Sequence, residues 1–382
     1  MIKRFVAVIL LLLSLSVVQA QDSWTSWVYN NGQIYLVNPF GETNATIHIE
    51  LNPAYNSISQ QIAVSASGRY IAYIASDTML ETPNRQLFIY DVAVRSDVAG
   101  YPLPASVQAT QLDVFPVAAM FDEAHNRAAF GYVLDERATG GEFGWEVVIL
   151  DYQIDTVIEK LSYQNTPAQI IDWDLIIPVI FDFDGEQVSF AAINYDEEIL
   201  PQYPAYIWDY TTDNVTLSTQ PFSLVRDRFS VTGENAYALN APQFAALTQE
   251  LGVTSNVVQI DDTVIYHTAD RSIFSVRFIQ NGERLLIGER DATNTVHWRI
   301  LDRDGTLTNV LQGAFINPQI YGTKDGFVAL DGNTLFFVDT HSGDLAPRSV
   351  WTNTDMGIPQ LVMVQNNALP AEAYPAWAAL GE

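Results

Sequence analysis

Runs of large apolar and β-favouring residues recur along this chain, each ending on a polar turn. At seven places two such residues are followed by Asp, or once Asn: Leu36-Val37-Asn38, Ile89-Tyr90-Asp91, Ile149-Leu150-Asp151, Ile207-Trp208-Asp209, Gln259-Ile260-Asp261, Ile300-Leu301-Asp302 and Phe337-Val338-Asp339. Gln259 is the one polar departure, and the copies lie 37 to 60 residues apart. Upstream of most copies sits a second turn between two apolar runs. In the clearest, Ile62 to Ser65 and Tyr70 to Ala75 flank Ala66-Ser67-Gly68-Arg69, and Gln86 to Tyr90 follows after a loop. The same order surrounds His125 and Asn126, Gly185 and Gly282, with a weaker copy at Gly233.

Alternating apolar runs broken by Gly, Asn and Asp read as antiparallel strands and hairpins. Each unit predicts four strands, called a to d from the inside outwards. The acid at the end of strand c suits the c–d turn, because its carboxylate accepts turn N–H groups. A four-stranded unit repeated in this way predicts an all-β fold, a β-propeller. Seven blades is the count, with six or eight as alternatives because the unit at Gly233 is irregular. The first unit, near Trp24 to Tyr29, Gln33 to Val37 and Ala45 to Glu50, lacks an inner strand, and the apolar run Leu361 to Val364 is left over at the other end. Pairing the two closes the ring and removes an exposed sheet edge. The expected division is a leader at 1–20, one propeller domain at 21–365 and an Ala- and Pro-rich tail at 366–382.

Composition narrows the class. Lys3 and Arg4, an apolar run from Phe5 to Val18 and the small-residue site Val18-Gln19-Ala20 form a secretory signal, so a secreted or periplasmic protein is expected. The apolar run is short for a bilayer span, and a membrane-embedded chain is not expected. With no cysteine there is no disulfide framework, thiol nucleophile or thiolate metal site, so stability rests on buried area. A formal charge of −27 argues against nucleic acid and anionic lipid partners. The basic stretch at Arg226 and Arg228 is broken by Asp227.

The repeat resembles those of TolB-like and WD-type bacterial propellers. The resemblance is carried by Ala66-Ser67-Gly68-Arg69-Tyr70-Ile71-Ala72 and Phe88-Ile89-Tyr90-Asp91, echoed by Ile207-Trp208-Asp209 and Val338-Asp339. It covers most of the chain as short degenerate repeats, and implies a scaffold binding proteins or other ligands on one face of the ring. The chain shows no separate N-terminal domain of the TolB kind, and fold likeness alone does not fix a function.

Strand order places a–b and c–d turns on one face, and b–c and d–a connections on the other. The long insertions fall on b–c: Ser76 to Arg85, Leu134 to Gly144, Asn194 to Pro204 and Asn240 to Asn256. Loops on a rigid frame are where binding residues gather. The third and fourth blades offer Glu136, Arg137, Glu142, Phe143 and Trp145, then Tyr195, Asp196, Glu197, Glu198 and Tyr203, a mixture of acids and aromatics suited to a protein, peptide or glycan. The plainer reading is a solvated rim with a few packing aromatics. Asp172-Trp173-Asp174, before the fourth inner strand, is placed at the channel mouth, where it binds a sugar or metal or merely caps a strand.

Two functions remain open: a non-catalytic binding scaffold, and a hydrolase or lyase acting on a carbohydrate or lactone with carboxylates at the channel mouth. No G-x-S-x-G elbow, P-loop or dinucleotide fingerprint is present. No cofactor is expected, with calcium kept as an alternative. Asp182-Phe183-Asp184-Gly185 and Asp302-Arg303-Asp304-Gly305 begin like calcium loops but have Ile193 and Gly313 where an EF-hand needs Glu, so turn chemistry explains them better. The five histidines are scattered singly, without metal spacing.

Overall fold

The structure is a computed structural model. It describes residues 24–80, 84–104, 119–135, 143–164, 176–194, 202–223, 225–229, 231–240, 255–312, 314–315, 318–342, 345–366, 369 and 372–373.

In chain order the first strands are β1 (Trp24–Asn30), β2 (Gln33–Val37) and β3 (Thr43–His48), the b, c and d strands of blade 1. Blade 2 holds β4 (Ser57–Ile58), β5 (Ala63–Val64), β6 (Tyr70–Asp77), β7 (Asn84–Asp91) and β8 (Ser96–Pro102). Blade 3 follows with β9 (Ala119–Asp122), β10 (Arg127–Asp135), β11 (Phe143–Asp151) and β12 (Thr156–Ser162). Blade 4 comprises β13 (Ile176–Phe183), β14 (Gln187–Asn194), β16 (Ala205–Asp209) and β17 (Asn214–Leu217), with a separate two-stranded sheet of β15 (Gln202–Tyr203) and β18 (Phe222–Ser223) beside it. Blade 5 is β19 (Arg226–Arg228), β20 (Asn235–Leu239), β21 (Val257–Ile260) and β22 (Thr263–His267). Blade 6 is β23 (Arg271–Ile279), β24 (Arg284–Asp291), β25 (Val296–Asp302) and β26 (Leu307–Gln312). Blade 7 is β27 (Gln319–Thr323), β28 (Gly326–Asp331), β29 (Thr334–Asp339) and β30 (Arg348–Thr352).

The chain then returns to blade 1 through β31 (Gln360–Asn366) and β32 (Glu372–Ala373). Strand β31 pairs antiparallel with β1, setting Trp27 opposite Met363 and Ser26 opposite Val364. This is the closure that the unclaimed run Leu361 to Val364 predicts, and it completes a seven-bladed β-propeller. Strand β32 was not expected. It pairs with Val364 and Met363 on the axis side of β31, and Leu369 packs on the apolar cluster of blades 5 and 6. Part of the 366–382 tail therefore enters the middle of the ring.

Turn chemistry follows the repeat. Asn38, Asp91, Asp151, Asp209 and Asp339 each accept N–H groups two to four residues ahead, as in Ala93 N to Asp91 Oδ1 at 2.8 Å and Thr211 N to Asp209 Oδ1 at 3.0 Å. Asp302 instead takes Arg284 Nε at 2.9 Å and leaves its turn to Asp304, which accepts Thr306 N. Gly68 sits at φ +78°, and a Cβ there would meet the Trp27 ring at 2.8 Å, so both conformation and space require glycine.

Apolar side chains alternate onto both faces of each blade and meet those of the next. Among the described residues, six of the seven junctions hold such a cluster: 1–2, 2–3, 3–4, 5–6, 6–7 and 7–1. Inner strands are also laced together by side chains that take the neighbour's edge groups. Gln319 accepts Leu361 N at 2.6 Å, Gln360 accepts Ile62 N at 3.2 Å, and Asp227 accepts Phe278 N at 2.6 Å. Each such bond contributes about 1 kcal/mol net, but leaving the buried N–H unpaired would cost more.

Candidate binding site

The strand bounds make one face plain and the other elaborate. The b–c connections of blades 1 and 7 are residues 31–32 and 332–333, whereas those of blades 2 to 5 are 78–83, 136–142, 195–204 and 240–256. Met79 and Leu80, on the blade 2 connection, are 85% and 52% exposed. On the same face the d–a connection into β31 carries Met356 and Ile358, 89% and 72% exposed.

Of the side chains that the sequence nominates for this face, Glu136, Arg137, Glu142, Asp172, Trp173, Asp174, Tyr195, Asp196, Glu197 and Glu198 lie outside the described residues. Phe143 opens β11 opposite Asp135. Trp145 and Tyr203 belong to the core. Trp145 alternates with Val147 and Ile149 onto the face that meets blade 4, fully buried with its ring 5.9 Å from that of Phe190. Tyr203 sits in β15, and its ring is buried with Phe222 over the apolar side of blade 4. A tryptophan two residues into a strand has no free choice of face, so neither ring is presented to a ligand on the rim.

The two turns that begin like calcium loops have their carboxylates engaged. Asp184 accepts Gln187 N at 2.8 Å, Asp182 binds Arg228 Nη1 at 2.6 Å, and Asp302 holds Arg284.

The junction between blades 4 and 5 differs from the other six. The apolar face that blade 4 turns this way, with Ile177, Val179, Ala191 and Ile193, is covered by Tyr203 and Phe222 of the small β15–β18 sheet. Beside it opens a cleft of about 180 Å³, lined by Phe181, Asp182, Ser218, Gln220, Pro221, Ser223, Arg226, Asn235 and Tyr237. Strand alternation explains its charge. Val225 and Phe229 pack towards blade 6, and Asp227 reaches the Phe278 amide there, so Arg226 and Arg228 point back at blade 4.

Arg226 is the central group. Its guanidinium lies 4.6 Å from the Phe181 ring centre and 5.6 Å from that of Phe222, and Nη2 donates to Asn235 Oδ1 at 3.0 Å. Among the described residues it makes no ion pair, since the nearby Asp182 is held by Arg228 at 2.6 Å. Burial pulls its pKa down to about 10, partly offset by Asp182, so it stays charged at neutral pH. The other polar groups are mostly satisfied within the protein: Ser223 Oγ donates to Ala238 O, Tyr237 OH to Asp261 O, and Gln220 Nε2 to Asp262 Oδ1.

The same seam accounts for the polar departure at Gln259. In blades 2, 3 and 6 the residue two before the turn acid, Ile89, Ile149 or Ile300, packs towards the following blade. In blade 5 the packing is displaced by one residue: Ile260 packs towards blade 6, and Gln259 alternates to the side of Tyr237, its partner across the sheet. A one-residue shift exchanges the two faces of a strand.

No family profile and no curated protein sequence matches the chain. Solved structures show a distant similarity to it. TolB from Acinetobacter baumannii is 15% identical over 76% of this chain and 64% of that one, with a TM-score of 0.39. Prolyl oligopeptidase B from Galerina marginata, bound to a 25mer macrocyclization substrate, is 10% identical over 86% of this chain and 49% of that one, with a TM-score of 0.50. The β-propeller domain of the trilobed protease from Pyrococcus furiosus is 11% identical over 88% of this chain and all of that one, with a TM-score of 0.46. The chain thus spans about two thirds of the TolB chain and half of the oligopeptidase. At these identities the likeness concerns the fold, a β-propeller, and nothing finer.

Proposed function

We propose that this protein is a secreted or periplasmic propeller that binds a protein or peptide through its elaborated face, without catalysing a reaction. The observation that carries the reading is the asymmetry of the connections: four successive blades bear long b–c segments, while the opposite face is closed by turns. Exposed Met79, Leu80, Met356 and Ile358 on that face supply adaptable apolar contacts, and the acids of 136–142 and 195–204 favour a partner that offers cations. The leader-like segment at 1–20 supports the location.

The test is capture on the immobilised mature protein, from the extracellular fraction of its source and on a glycan array, with and without calcium. A paired variant carries Glu197→Lys and Glu198→Lys. The expected result is a defined polypeptide retained by the wild type and weakened roughly tenfold, about 1.4 kcal/mol, by the charge reversal. The melting temperature should stay within about 2 °C of the wild type. Equal retention by both proteins, or binding of glycans alone, would sink the reading.

A further inference from the structure

We propose that the cleft between blades 4 and 5 is a binding site for a small molecule bearing a carboxylate, which pairs with the Arg226 guanidinium. This goes beyond the loop-face reading and stands without it.

Six junctions are sealed by apolar side chains, and the seventh, among the described residues, has a cavity and a guanidinium without a carboxylate partner. Arg226 is half-buried, and drawing a charge even part of the way out of water is costly unless a counter-charge or a set of hydrogen bonds replaces the lost solvation. Contact with Phe181 and one bond to Asn235 offset part of that cost. A ligand oxygen in the cleft would supply the rest.

The chemistry of the walls selects the ligand. Arg226 has five N–H donors and uses one on Asn235, leaving an arrangement suited to the two oxygens of a carboxylate. Arg228 cancels Asp182, and Asp227 faces blade 6, so the charge left over in the cleft is positive. The chain as a whole is strongly negative, but exposed charges are screened beyond about 8 Å at physiological salt, whereas a contact inside the cleft is not. Ser218, Gln220 and Tyr237 give the walls hydroxyl and amide oxygens, which suit a polar body attached to the acid. At about 180 Å³ the space takes a group of monosaccharide or single amino-acid size.

Isothermal titration with three probes tests this: D-glucuronate, a sugar with a carboxylate; N-acetylglycine, a carboxylate without a sugar; and D-glucose, a sugar without one. Glucuronate, N-acetylglycine or both should bind the wild type, with glucose at least about tenfold weaker. Arg226→Gln should abolish carboxylate binding. Arg226→Lys, which keeps the charge and loses the fork, should weaken it by a smaller factor. Near-UV circular dichroism shows whether each variant keeps its packing, and if Arg226→Gln fails to fold, the lysine variant and the wild-type contrast with glucose decide. Failure of both carboxylates to bind, glucose binding as tightly as glucuronate, or undiminished carboxylate affinity in the folded variants overturns the proposal. Loop-face capture is unaffected by any of these results, so the two readings fail separately.

Discussion

A chain ending at Pro359 is expected to lose its cooperative thermal transition and to bind hydrophobic dyes at room temperature. The cut removes β31, whose Leu361, Val362, Met363 and Val364 are almost wholly buried. Leu361 and Val364 pack in the junction with blade 7, and Val362 and Met363 in that with blade 2, so two apolar clusters open at once. Truncating a single buried Leu or Met to Ala typically costs 2–5 kcal/mol, and four such losses rival the whole stability of a domain, about 5–15 kcal/mol. The bonds Gln319 makes to Leu361 N and Gln360 makes to Ile62 N go as well, leaving β1 as an open sheet edge. Met363→Ala is the graded version and should cost about 2–5 kcal/mol in urea unfolding. A truncated protein that still melts cooperatively at the wild-type temperature would show that the ring does not depend on this closure.

What could be read from the sequence is local or apolar; what could not is relational. The Asp turns are legible because a carboxylate bonding its own turn needs only neighbours in sequence, as at Asp91 and Ala93. Ring closure is legible because blade 1 lacks an inner strand and Leu361 to Val364 is an apolar run with no other place to go. The blade 4–5 cleft is hidden by treating Arg226-Asp227-Arg228 as charges that cancel. In a strand, residue 227 points the other way, so nothing cancels locally. Gln259 and the irregular unit at Gly233 are the sequence signals of that seam, and the meaning of Gln259 depends on a register shift that only the packing reveals. Strands β15, β18 and β32 have two residues each, too few to show a period. Trp145 and Tyr203 look like rim aromatics by their distance from a loop, while alternation and sheet pairing put them inside.

The half-buried Glu372 of the tail makes stability depend on pH in an unusual direction. Glu372 lies on the axis side of β31, where burial, reinforced by the negative charge of Asp227, raises its pKa to about 8 from an ordinary 4.5. A carboxyl raised in the folded state binds its proton more tightly there than in the unfolded chain. Its contribution is therefore intact below about pH 4.5 and declines as the pH climbs to about 8, where the folded protein must also ionise it. At 1.36 kcal/mol per pH unit the loss has a ceiling of about 5 kcal/mol, which partial solvent access reduces. Glu372→Gln keeps the shape and removes the proton equilibrium. It should match the wild type near pH 5 and exceed it by about 2–4 kcal/mol at pH 9, read as a difference in urea unfolding. Glu289, also raised by burial but held by Arg271 and Arg299, titrates in both proteins and cancels in that difference. Stability curves that run parallel from pH 5 to pH 9 would mean that Glu372 is not buried against Asp227, and that the C-terminal segment does not enter the ring.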